Sequence, residues 1–162
     1  RRRIDALRRL ERELKLLERQ IAQSVRATST TLPQLVGISY LSAARIIGEV
    51  GDINRIPTKA RFARINGTAP LPASSVQTQG HRLNKGGNRR LNRALHYVAL
   101  TQATWEPRAV AYLARKQAEG KTRKEAMRAL KRHISDAVYQ RLVADTRNRP
   151  RPRLSSPTTI AR

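Results

Sequence analysis

The sequence of 162 residues predicts a mainly α-helical fold: a helical domain with a helix-hairpin-helix-like unit, a long basic loop and a leading coiled-coil helix. Three observations carry this. Leu7, Leu10, Leu14, Leu17 and Ile21 recur at alternating spacings of three and four. Ala126, Leu130, Ile134, Val138 and Leu142 recur every fourth residue. Residues suited to helix starts (Thr58, Asn88, and Thr122 with Glu125 three positions on) stand ahead of apolar-periodic stretches.

Residues 1 to about 27 read as one helix whose leucine seam wants a partner helix. Two readings stay open: packing within the chain, or an oligomer-forming or interdomain coiled coil through residues 4–25. The helix opens without a capping residue, so a preceding segment is expected. ATSTTLP (27–33) is a polar break ending in Pro33, a good first-turn residue.

Leu35, Val36, Leu41, Ala44, Ile47 and Val50 then suit two short helices joined at Gly37-Ile38-Ser39. Such a unit presents backbone N–H groups to a phosphate; an ordinary αα-hairpin fits the same pattern. Gly51 closes the second helix, and Thr58 opens a short third one carrying Phe62 and Ile65. Residues 67–87, GTAPLPASSVQTQGHRLNKGG, read as a long loop, with VQTQGHRL compatible with a β-ribbon. A loop of that length in a compact domain is usually functional.

Asn88 caps a helix with Leu91, Leu95 and Val98 on its buried stripe and Trp105 near its end. Glu106-Pro107 restarts a helix carrying Val110 and Leu113, stopping at Gly120, and the Thr122–Glu125 box opens the last. The tail contains RPRP and SSPTT, lacks a core pattern and is expected to be disordered. The expected domains are therefore 1–31, a coiled-coil helix and linker; 32–146, the helical domain; and 147–162, a basic tail.

Net charge is +23, from 34 Lys and Arg against 11 Asp and Glu. Self-repulsion on that scale opposes compaction unless a polyanion neutralises it, and nucleic acid is the natural one. No apolar run approaches the roughly 18 residues of a membrane span, and the N-terminus lacks the apolar core of a signal peptide. The expected setting is cytoplasmic and nucleoid-associated, with DNA as partner and no membrane. With no cysteine and three histidines, disulfides, zinc fingers and thiol nucleophiles are excluded, and no metal site is expected. Aromatics are 4% of residues, so base-stacking platforms look poorly supplied and backbone contacts are expected to dominate.

Between Ile53 and Trp105 the chain has no Asp or Glu. The densest basic run is HRLNKGGNRRLNR (81–93), in which Arg82 and Lys85 precede Gly86-Gly87 and Asn88 is followed by Arg89, Arg90 and Arg93. Glycines permit close backbone approach, a helix N-terminus adds positive dipole, and guanidinium forks suit phosphate. Ser74 and Ser75 lie upstream in the same acid-free loop. Clustered guanidinium groups favour a serine alkoxide and stabilise a phosphoryl transition state, although loop serines more often only solvate the chain. Of the histidines near this loop, His81 is the better base and His96 the better core residue. Glu49 and Asp52 are the one close acidic pair near the core, short of what a two-metal nuclease needs.

LVGISYLSAARIIGEVGDINRI, RFARINGTAP, ASS and HRLNKGGNRRLNRALH together resemble the C-terminal domain of insertion-sequence family 110 transposases, the serine-containing, bridge-RNA-guided recombinases. The similarity runs from about Leu32 to Val143. It rests on the spacing of Gly37, Gly51, Gly67, Ala69-Pro70, Ser75 and Gly87-Asn88-Arg89. The resemblance implies DNA transposition by a nucleophilic serine that forms a 5′-phosphoserine link, matched here by Ser75, five positions after Pro70. It also implies a structured guide RNA as partner and an active site shared between protomers. It further implies an N-terminal nuclease domain holding Mg²⁺ on four carboxylates, which this sequence lacks; no cofactor is expected in the chain itself. Val76 stands where the family usually has glycine, and Ser39 where its hairpin has a second glycine.

Overall fold

The computed structural model describes residues 2–75, 78–82 and 86–148. The tail beyond 148, Val76 and Lys85 lie outside the described residues. The fold is mainly α, with helices α1 (Arg2–Ala27), α2 (Tyr40–Val50), α3 (Lys59–Ile65), α4 (Arg89–Trp105), α5 (Pro107–Ala118) and α6 (Arg123–Asn148). A β-hairpin of β1 (Leu71–Ser75) and β2 (Thr78–Arg82) interrupts them.

The spine is α6, against which α3, α4 and α5 all pack. Its ladder of Ala126, Leu130, Ile134, Val138 and Leu142 is buried throughout. The predicted capping box forms: Thr122 N and Oγ1 donate to Glu125 Oε2 at 2.9 and 2.7 Å. Opposite, α4 buries Leu91, Ala94, Leu95, Val98 and Ala99. Phe62 of α3 is fully buried and meets the Tyr139 ring at 5.7 Å. Val25 is the buried residue of α1, and Ile21 packs beside it on the core. Arg26 seals that junction, its guanidinium 4.7 Å from the Tyr40 ring centre.

Two details differ from the sequence expectation. Instead of a helix before Gly37 there is a single 3₁₀ turn, Leu32–Gln34. The few residues between Pro33 and the left-handed Gly37 (φ 84) are too short to nucleate an α-helix. Gly37 also faces α4 so closely that a Cβ there would lie 3.1 Å from Val98 O. Second, Val36, Leu41 and Ile65 are exposed, while Ala43 and Ile46 form the deep face of α2.

Candidate nucleic-acid interface

Residues 68–86 leave and rejoin the helical body at one narrow mouth. A Cβ on Gly87 would stand 2.5 Å from Gly67 N and 2.6 Å from its Cα, so the two ends of the excursion touch backbone to backbone. Asn88 N donates to Ile65 O at 2.6 Å, fixing the start of α4 to the end of α3. Within the excursion, β1 and β2 pair antiparallel, Leu71 opposite Arg82 and Ser75 opposite Thr78. The expected ribbon exists, and it begins earlier than VQTQGHRL suggested. Ser75 closes the register at the far end of the hairpin, roughly 14 Å along the strand from Leu71 at ~3.4 Å per residue. Arg82 pairs with Leu71 at the near end of the hairpin.

A buried amide relay supports the mouth. Asn66, fully buried, donates through Nδ2 to Ser135 Oγ at 2.8 Å. Its Oδ1 accepts from Thr68 N at 3.0 Å and from Thr68 Oγ1 at 2.7 Å. Asn92 on α4 donates to Asn66 O and accepts from Lys131 Nζ, both at 2.7 Å. Burial, and next Arg128, hold the Lys131 ammonium below the usual lysine range. His96 is likewise depressed, first by burial and then by Lys131. Sequence reasoning missed Asn66, Asn92, Lys131 and Ser135. Asn66-Gly67 marks a helix end, but no local signal pairs it with a residue 69 positions away.

The expected site residues separate into two kinds. Arg89, Arg90 and Arg93 sit exposed on the first turns of α4, as a phosphate-binding corner requires. Arg90 also stands 3.7 Å from Glu49. Asn88 is committed inward: Oδ1 accepts from Arg90 N and Leu91 N, and Nδ2 donates to Glu49 Oε2 at 2.7 Å. Ile38 is buried and its N–H donates to Leu35 O, so this hairpin amide is not offered to a ligand. Ser39 caps α2 by accepting from Ser42 N. Gly37, Ile38 and Ser39 nevertheless line an open groove of about 560 Å³ with Tyr97 and Thr101 of α4. Groove and arginines thus share one helix.

Among the described residues, no three His, Asp or Glu side chains come together as a metal site. Nor is any described helix long and apolar enough to cross a membrane.

Residues 29–114 match the family model described as Transposase IS116/IS110/IS902 family. The match runs from the linker after α1 through the hairpin and α4 into α5. The chain is 33% identical over 129 residues to the insertion element IS110 uncharacterized 43.6 kDa protein of Streptomyces coelicolor. That alignment covers 78% of this chain and 32% of the relative, so the chain spans about a third of the length of the protein it resembles.

Proposed function

This chain belongs to the IS116/IS110/IS902 transposase family, and from that premise we propose that it binds DNA and supplies the nucleophilic serine of a site-specific recombination reaction. The observation that carries the reading is the mouth at Gly67 and Gly87. An acid-free excursion bearing Ser75 leaves the body where three exposed arginines begin α4. Arg89, Arg90 and Arg93 neutralise the phosphates of a strand, the α4 dipole adds to them, and the hairpin carries the hydroxyl out along that strand.

Ser75 Oγ gives its proton to a base and attacks phosphorus. The Oγ–P bond forms as the P–O3′ bond breaks, and the leaving oxygen is protonated to a 3′-hydroxyl. A second strand's 3′-hydroxyl reverses the step, so phosphodiester bonds are conserved and no nucleotide is consumed. Ser75 lies at the far end of the hairpin from α4, so Arg89, Arg90 and Arg93 would hold phosphates flanking the one under attack, fixing the strand without accepting a proton. The family resemblance also implies Mg²⁺ in a separate four-carboxylate nuclease domain. The described residues of this chain do not fit that ion. A structured guide RNA is the second polyanion that a net charge of +23 accommodates. Self-association through the α1 seam would bring two such sites together. The whole assembly belongs to the cytoplasm, at the nucleoid.

A nicked suicide duplex tests the chemistry, with a nuclease domain supplied in trans. A covalent protein–DNA adduct is expected that survives Ser74→Ala and vanishes in Ser75→Ala. Adduct in neither wild type nor variant leaves a helical binding module without chemistry.

A further inference from the structure

Two of the six aromatic residues of this chain, Tyr97 and Trp105, lie on α4. Arg90, Arg93, Tyr97, Thr101 and Thr104 follow spacings of three and four along the outer face of α4. Tyr97 is 54% exposed, and Trp105, where the helix ends, is 76% exposed. The helix rises about 6 Å from Arg93 to Tyr97 and about 12 Å from Tyr97 to Trp105, at ~1.5 Å per residue. The threonine hydroxyls between the rings are already used: Thr101 Oγ1 donates to Tyr97 O and Thr104 Oγ1 to Leu100 O, both at 3.1 Å. What this face offers a partner is therefore ring surface, continuous with cationic surface.

Resting on the nucleic-acid reading above, we propose that Tyr97 and Trp105 form a stacking platform for unpaired bases of a strand whose phosphates lie on Arg89 and Arg93. A protein partner fits less well, because the ridge runs straight into guanidinium groups and Ile53–Trp105 contains no carboxylate. A duplex fits the arginines but has no free base face to give the rings. An unpaired strand satisfies both, since every base has a π-face and every linkage a charge. The groove beside Tyr97, walled by Val36 and Gly37, gives a splayed base a place to enter. Composition hides this, because an average cannot register that two rings share one helix with three arginines.

Trp105 is the one tryptophan of the sequence, so its fluorescence reports on this site directly. Wild-type protein would be titrated with end-labelled 20-nucleotide single strands and with blunt duplex of the same length. Label anisotropy reports binding and Trp105 emission reports stacking. The expected result is binding to both, with emission quenched by the single strand only. Tyr97→Ser and Trp105→Leu, both at exposed positions, should each weaken single-strand binding about tenfold and change duplex binding less than about twofold. Binding without quenching, and with unchanged affinities in both variants, overturns the platform while leaving the phosphate corner intact. Absence of binding to either ligand overturns the platform and the nucleic-acid reading together.

Discussion

Gly87 and Gly67 touch backbone to backbone, a Cβ on Gly87 falling 2.6 Å from the Gly67 Cα. Real Cβ atoms do not approach a backbone so closely, so Gly87→Ala forces α3 and α4 apart and opens the mouth of the hairpin. The expected cost is ~1–3 kcal/mol, the range for overpacking a close contact. Gly48→Ala is the matched control. A Cβ there meets nothing within 4 Å on the interior of α2, and the change should stabilise by ~0.5–1 kcal/mol. Urea denaturation of both variants checks the pair. Equal midpoints would mean that the contact constrains nothing.

Glu49 is the carboxylate at an otherwise cationic corner, bonded to Asn88 at 2.7 Å and 3.7 Å from Arg90. Arg89→Ala and Arg93→Ala should each lower the slope of log affinity against log salt by about one. Arg90→Ala should lower it less, because Glu49 already offsets part of that charge. Glu49→Gln keeps an acceptor for Asn88 and removes the negative charge, so affinity should rise a few-fold at low salt. Filter binding across a salt series reads all four variants. Unchanged slopes in the arginine variants would place the strand elsewhere.

Legibility in the sequence followed the range of the interaction. The α6 ladder and the caps at Thr58, Asn88 and Thr122 depend on neighbours three or four positions away, and each was visible in the string. Asn88 was legible as a cap but not as a partner of Glu49, 39 residues earlier. The same holds for Asn66 with Ser135 and for Lys131 with Asn92, which meet only once three helices have packed. The helix expected before Gly37 is a single 3₁₀ turn that ends at Gln34, because apolar residues alone do not show whether a segment is long enough to nucleate a helix. The basic corner was legible because charge was written contiguously on the helix start. The hairpin was only half legible: its composition marked a loop, but register is set by pairing across a turn.

Lys131 gives a pH test. Burial lowers its ammonium below 10.5 in the folded chain. Between that lowered value and 10.5 the unfolded chain binds more protons, so this group's contribution to stability rises with pH across the window. The penalty for the buried charge is complete below the lowered value and gone above 10.5. Lys131→Met should therefore compare more favourably with wild type at pH 7 than at pH 10. A wild-type-minus-variant difference independent of pH, by urea denaturation, would contradict the assignment.

Asp145, near the end of α6, clamps the linker that follows α1. It accepts from Thr31 N at 2.9 Å, Thr31 Oγ1 at 2.7 Å and Thr30 Oγ1 at 2.8 Å. Three hydrogen bonds to one charged, part-buried carboxylate make Asp145→Ala costly, at ~2–3 kcal/mol. The loss should be local as well as global. Hydrogen exchange at Thr31 and Leu32 should accelerate more than exchange in α4, and uniform acceleration would show that the clamp has no local role.

The strongest unsatisfied feature of the fold is the leading helix. Ile4, Leu7, Leu10, Leu14 and Leu17 are each more than half exposed, and only the last turns of α1 reach the core. An a/d seam of that length buries about 25 cal/mol for each Å² removed from water once a second helix covers it. An isolated helix gains nothing comparable. Wild-type protein is therefore expected to self-associate with concentration in sedimentation equilibrium, and Leu10→Asp with Leu14→Asp to return it to a monomer. The double variant should also lose helical circular dichroism, because the exposed part of α1 then has neither partner nor core to hold it. A wild-type monomer at 100 μM with α1 fully protected from exchange would sink the oligomer and leave the seam to another part of a longer chain.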